Sequence, residues 1–188
     1  MAMTNEELMQ ILTETGAYQT GHFKLSSGLH SGNYIQCSQL LKFPRVAEKV
    51  CSEIAALFKD DNIEMVVGPA IGGILVAYEV PAIFAERQDG KMTLRRGFHV
   101  EPGTRCLVTE DVLTTGGSAQ EVVELLQAQG AEVVSATSII DRTPGNTLKL
   151  KVPFKSLIQL TFPTYTEEEC PMCKEGQPIQ KPGSRPGI

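Results

Sequence analysis

A chain of 188 residues, 41% hydrophobic and 21% charged, has the make-up of one soluble globular domain. That composition excludes chain-long disorder, a collagen repeat and a coiled coil, and no stretch reaches the roughly 20 apolar residues of a bilayer span. Seventeen Lys and Arg against 22 Asp and Glu give a net charge of −5, which argues against a general nucleic-acid binder but permits a local basic site for a small anion. Met1 to Glu7 carries two acids and no basic run, unlike a signal peptide. The expected setting is the cytoplasm, with neither nucleic acid nor membrane as partner.

Thr4 opens a capping box with Glu7, and Leu8, Ile11 and Leu12 continue at helical spacing until Gly16. Residues 17 to 43 mix Gly, Ser and aromatic residues and read as short strands and loops. Pro44 suits a helix start, and Val46, Val50, Ile54, Leu57 and Phe58 form an apolar stripe ending near Asp60. Met65 to Val67 predicts a buried strand that runs into the turn Gly68-Pro69-Ala70-Ile71-Gly72-Gly73. Val80 to Ala85 predicts a second strand. Only about eight residues, Gly73 to Pro81, lie between this turn and the next strand, where a parallel crossover usually takes a dozen or more. Glu86 to Gly103 is charged and glycine-containing, and reads as a long flexible loop or a hairpin that works as a lid.

Arg105 to Thr109 predicts a third strand, followed by a helix over Ser118 to Gln129 that Gly130 ends. Val133 to Ile140 predicts a fourth strand and Leu157 to Phe162 a last one. The tail from Pro171 holds Pro, Gly and Lys with little core material, and is expected to be mobile. Strands alternating with helices imply an α/β fold with a parallel sheet flanked by helices. Ligands of such sheets sit at the C-terminal strand ends.

Five cysteines are scattered. Cys37, Cys51 and Cys106 sit among apolar residues, as buried free thiols do. Cys170 and Cys173 form a Cys-x-x-Cys, but a four-ligand zinc site needs a second pair and the sequence shows none, unless two subunits contribute one pair each. No metal ligands are therefore assigned. His22, His30 and His99 are each isolated and read as surface or satisfied core histidines, His99 alone lying beside the lid.

The most informative segment runs from Cys106 to Ser118. An apolar strand delivers Glu110 and Asp111, and Val112 and Leu113 lead to the turn Thr114-Thr115-Gly116-Gly117-Ser118 at a helix start. Backbone N–H groups, three hydroxyls and the helix dipole suit a phosphate monoester, and glycines let the backbone approach it closely. The two acids can accept hydrogen bonds from vicinal hydroxyls. Phosphate and diol together describe a ribose 5-phosphate. An ordinary turn with surface acids is the plainer reading, made improbable by this spacing. The Gly-Lys-Ser/Thr ending of a nucleotide P-loop is absent.

This segment resembles the phosphoribosyl diphosphate (PRPP) motif of type I phosphoribosyltransferases. Phe23 to Gly28 with Ser31 and Tyr34, Gly68 to Gly73, Gly90 to Phe98, and Ile140-Asp141-Arg142 narrow the resemblance to the orotate phosphoribosyltransferase family. It covers about residue 5 to about 183. The resemblance implies an N-terminal helix and hood (1–43), a PRPP-binding core (44–165) and a C-terminal tail (166–188) around one type I phosphoribosyltransferase fold with a flexible lid.

It further implies that Glu110 and Asp111 hold the ribose hydroxyls and Thr114 to Ser118 the 5-phosphate. Ala70 to Gly73, with Gly72 and Gly73, would offer N–H groups to pyrophosphate. Thr114 and Arg142 would contact orotate, and Ser27, Gly28 and Tyr34 would form the hood over the base. Arg87 and Lys91 would reach pyrophosphate, with the lid closing into the partner's site of a homodimer. Lys91, Glu110 and Asp111 are the expected catalytic residues, and Mg²⁺ the implied cofactor. The chain departs from the family at Ser26 and Gly72, where many members have lysine, and in the lid, where Arg95 and Arg96 are candidates to supply missing charge. The implied reaction is orotate plus PRPP to orotidine 5-monophosphate plus pyrophosphate, in pyrimidine synthesis. Transfer to another base, or a non-catalytic sensor of PRPP, nucleotides or RNA, are the alternatives.

Overall fold

The computed structural model describes residues 3–25, 27–70, 81–143 and 148–182. In chain order these form α1 (Asn5–Glu14), β1 (Tyr18–Lys24), β2 (His30–Ile35), α2 (Ser38–Leu41), α3 (Pro44–Ala56), β3 (Met65–Pro69), β4 (Ala82–Gln88), β5 (Lys91–Leu94), β6 (Arg105–Leu113), α4 (Gly117–Ala128), β7 (Glu132–Asp141), β8 (Phe154–Gln159), β9 (Thr164–Tyr165) and α5 (Pro171–Lys174).

The main sheet has strand order β5-β4-β3-β6-β7-β8. All its pairs are parallel except β4 with β5, which forms an antiparallel hairpin at one edge. Strand order reverses between β3 and β6. A crevice opens at such a switch point, outside the carboxyl ends of the strands. A smaller antiparallel sheet, β1-β2-β9, forms the hood.

Alternation along the central strands sends side chains to opposite faces. Val66 and Leu107 join Ile139, Ile140 and Ile158 against α1 and α3, whose Leu8, Leu12, Val50 and Ile54 are buried. Val67, Cys106 and Val108 pack on the other face with Ala119, Val122, Val123 and Leu126 of α4. Two layers of helix thus clamp a sheet that is dry on both faces, and the strand ends are left to carry polar chemistry.

Local signals account for most boundaries. Thr4 and Glu7 make the reciprocal capping box, and Gly16 ends the first helical region at φ 72°. Pro44 occupies the first turn of α3.

Several expectations shift. Residues 17 to 43 include the helical turn α2 besides strands. The second strand starts and ends later than expected, and the last main-sheet strand spans Phe154–Gln159 rather than 157–162. Its alternation is weak because it is an edge strand, with only Ile158 buried. The lid region is a hairpin, not an irregular loop. Asp89 and Gly90 both have positive φ, as a two-residue hairpin turn matching strand twist requires. The tail is docked as far as it is described: Cys170 is fully buried, and Gln180 exchanges backbone hydrogen bonds with His22 and Lys24. Most of the short connection between β3 and β4, 71–80, lies outside the described residues. Among the described residues no helix is long and apolar enough to cross a membrane.

Candidate active site

A cleft of about 1100 Å³ lies over the carboxyl ends of β6 and β7, between the main sheet and the hood. β6 brings Glu110 and Asp111 to its wall, and Val112 and Leu113 lead to the turn 114–118 that starts α4. β7 ends beside Arg142. The hood contributes Lys24, Ser27 and Tyr34, the tail Lys181, and β4 Arg87. Elements far apart in sequence therefore converge on one concave surface that mixes apolar walls with charged and hydroxyl groups.

The turn is built for an anion. Gly116 sits in the left-handed region at φ 74°, and an added Cβ would lie 3.2 Å from both Leu148 and Leu150. Thr115 accepts a hydrogen bond from the Lys149 amide through its carbonyl, which braces the turn from outside. The amides at the start of α4 and the hydroxyls of Thr114, Thr115 and Ser118 face a cleft with the positive helix end behind them.

Burial pushes the Glu110 carboxyl up to about 8, with the Asp111 charge adding to the effect. Burial also raises Asp111, against the hydrogen bond its Oδ1 accepts from the Val112 amide at 2.9 Å. The pair is short of donors, and ribose hydroxyls are donors of the right kind.

Arg142 stacks on Phe162, its guanidinium carbon 4.8 Å from the ring centroid. Its Nε is buried and without a hydrogen-bond partner. Desolvation lowers its pKa, offset in part by Tyr34. Tyr34 donates its hydroxyl proton to Gln36 at 3.1 Å and packs against Phe23. A planar cation held over an aromatic ring, with a donor unspent, suits a planar anion.

Arg87 makes a two-pronged ion pair with Glu121 of α4, both contacts 2.9 Å, and donates to the Gly90 carbonyl. The cleft thus gathers Ser27, Tyr34, Arg87, Glu110 to Ser118 and Arg142. Among the described residues it does not gather Gly28, Lys91 or Ala70. Gly28 is an exposed hairpin-turn residue at φ 87°. Lys91 is exposed at the start of β5 and is not part of the cleft wall. Ala70 spends its amide on the Ala85 carbonyl at 2.8 Å, so that donor is not free for pyrophosphate. Ser26, Ile71, Gly72 and Gly73 lie outside the described residues. Arg95 and Arg96 are not spare lid charges: both pair with Glu86, Arg96 through two nitrogens. His99 is exposed beside Glu101.

Sequence reasoning did not find Lys24, Glu121, Phe162 or Lys181 as cleft residues. Phe162 and Lys181 enter through β9 and the docked tail, contacts with no local signature. Glu121 carries one: it lies one turn into the helix whose start forms the anion site.

The phosphoribosyl transferase domain model matches residues 83–165. An orotate phosphoribosyltransferase of Thermotoga maritima is 50% identical over 184 residues, covering 95% of this chain and 98% of that protein. One from Caldicellulosiruptor bescii is 47% identical over 189 residues, covering 97% and 99%. The crystal structure of orotate phosphoribosyltransferase from Aeropyrum pernix superposes with a TM-score of 0.68 at 26% identity, covering 81% of this chain and 93% of that one.

Proposed function

The chain belongs to the orotate phosphoribosyltransferase family, and we propose that it transfers the 5-phosphoribosyl group of PRPP to orotate, giving orotidine 5-monophosphate and pyrophosphate for pyrimidine synthesis. The observation that carries this reading is Arg142: a half-buried guanidinium over the Phe162 ring, its Nε buried and unspent, in the cleft that also holds the phosphate turn. Orotate is a planar anion and meets both features.

The 5-phosphate sits on the amides and hydroxyls of 114–118, and the ribose hydroxyls donate to Glu110 and Asp111. These two grips fix the anomeric carbon between base and leaving group. A ring nitrogen of orotate attacks that carbon as the bond to the pyrophosphate oxygen breaks. The ribose becomes cation-like in passing, and the ionised acids beneath it favour that charge. No side-chain nucleophile is required, so rate comes from positioning and from charge stabilisation.

Mg²⁺ fits the hard oxygen donors at the ribose end of the cleft, the carboxylates of Glu110 and Asp111 and the nearby threonine hydroxyls. Glu110 and Asp111 would hold it through its waters. When bound, the ion neutralises diphosphate charge. Arg87 already lies in the cleft and needs only to exchange Glu121 for a diphosphate oxygen.

We infer that Lys91, exposed at the start of β5 and outside its own chain's cleft, serves a second subunit in a homodimer. Mixing Lys91→Ala with Asp111→Asn protein tests that arrangement: partial recovery of activity is expected, and none argues against a shared site. The activity itself is tested by pyrophosphate release with orotate, PRPP and Mg²⁺. Turnover of adenine, hypoxanthine or uracil but not orotate would overturn the assignment.

A further inference from the structure

We propose that His22, His30, Cys170 and Cys173 form a structural Zn²⁺ site that fastens the C-terminal tail to the hood. Their ligand atoms all lie within 4.8 Å of one another. The sequence offers a lone Cys-x-x-Cys and two apparently isolated histidines; the fold brings them together within one chain.

Each residue is aimed by local structure. The β1–β2 register shifts between Thr20 and Phe23. This irregularity breaks the alternation, so that His22 and Phe23 are both buried. Such a bulge re-aims a side chain. His30 lies on β2, opposite Lys24 and Tyr165. Cys170 precedes the single helical turn α5, and Cys173 lies in it.

The spacings approach those of a tetrahedral centre, within about half an ångström for each contact below. His22 Nε2 and His30 Nδ1 are 3.0 Å apart. Cys170 Sγ and Cys173 Sγ each lie 3.6 Å from His22 Nε2, and Cys173 Sγ lies 3.2 Å from His30 Nδ1. Tetrahedral Zn²⁺ with ordinary Zn–N and Zn–S bonds has edges of about 3.4 Å for N···N and about 3.6 Å for S···N. His22 Nδ1 lies 3.0 Å from the Gln177 carbonyl. Donating its proton there leaves Nε2 with a bare lone pair facing the others, the outer hydrogen bond that metal-bound histidines usually make. Both cysteines are free of disulfide. Two thiolates and two neutral imidazoles cancel the charge of Zn²⁺, which suits a site where His22, His30 and Cys170 are buried. A tetrahedral S₂N₂ set selects zinc among the common divalent ions.

The site has a consequence for the cleft. It holds the tail where Gln180 bonds to Lys24 and His22, and so sets Lys24 and Lys181 at the cleft wall.

The test is metal analysis of the full-length protein, purified under reducing conditions without chelator. One zinc per chain is expected, released by a mercurial thiol reagent. Replacement by Co²⁺ is expected to give thiolate-to-cobalt charge transfer and the intense visible bands of a tetrahedral centre. Cys170→Ser with Cys173→Ser, and separately His30→Asn, should lower zinc content at least about tenfold. The Co²⁺ spectrum of the unmutated protein stands even if these variants fail to fold. The proposal is overturned if the reduced protein holds little zinc and takes up no Co²⁺, if its Co²⁺ spectrum lacks thiolate bands, or if anaerobically purified protein carries a Cys170–Cys173 disulfide instead.

Discussion

The Arg142 guanidinium lies over the Phe162 ring, its carbon 4.8 Å from the centroid, and its Nε remains buried without a partner. Such a group is costly to leave unmet, so the cleft is complementary to an anion before one arrives. Arg142→Ala should reduce kcat/KM for orotate by about 10- to 150-fold, the worth of a hydrogen bond to a charged group. Arg142→Lys should recover little, because an ammonium neither stacks on Phe162 nor presents a planar fork. Ribose 5-phosphate binding, read by calorimetry, should be unaffected in both. Equal losses for the two ligands would remove Arg142 from base recognition.

Glu110 ties pH to both stability and binding. Its folded value is about 8, above the ordinary 4.5, so its contribution to stability is full below about 4.5 and is lost as pH rises through about 8. The thermal midpoint of the ligand-free protein should therefore fall over that window, and Glu110→Gln should flatten the fall. In the proposed complex the ribose hydroxyls donate to the ionised form. Binding of ribose 5-phosphate without metal should then release a proton near pH 7, and tighten as pH approaches about 8. Calorimetry in two buffers of different ionisation heat measures the release. Proton uptake instead would contradict the diol contact.

Much of this molecule is legible from local chemistry. The capping box at Thr4 and Glu7, the stop at Gly16 and the proline at the start of α3 each announce a boundary within a few residues. The phosphate turn and its two acids are contiguous, so one strand–turn–helix displays half the site. The rest depends on distant contacts. Phe162 meets Arg142 across a connection of twenty residues, part of it outside the described set. The His22–His30 and Cys170–Cys173 pairs meet only because an irregular β1 register turns His22 inward and the tail folds back. Arg95 and Arg96 look like spare lid charge until the hairpin sets them beside Glu86. Charge in a sequence does not reveal whether its partner is a ligand or a neighbour.

Gly116 joins stability to the phosphate grip. An alanine there would adopt φ 74° and press its Cβ to 3.2 Å from Leu148 and Leu150. The left-handed backbone alone costs about 1–2 kcal/mol. Gly116→Ala should lower the unfolding free energy by at least that much and weaken ribose 5-phosphate binding at the same time. Gly176→Ala also has positive φ but open space around it; it should show the stability loss without the binding loss. Unchanged affinity in Gly116→Ala would mean that the turn does not hold the phosphate.

Arg87 and Glu121 separate stability from function. Their ion pair is two-pronged, yet the side chains are 38% and 41% exposed, which places its net contribution at about 0–1 kcal/mol. Neither Arg87→Ala nor Glu121→Ala should move the denaturation midpoint beyond that. Their kinetic effects should diverge. If Arg87 meets the diphosphate as proposed, Arg87→Ala removes a cation from the cleft and should raise KM for PRPP about tenfold or more. Glu121→Ala frees the same cation from its resting partner, and should leave KM for PRPP unchanged or lower. The double variant should behave as Arg87→Ala alone, because Glu121 acts only through Arg87. A rise in KM for Glu121→Ala equal to that for Arg87→Ala would show that the pair works as one positioning unit, not as a latch that PRPP displaces.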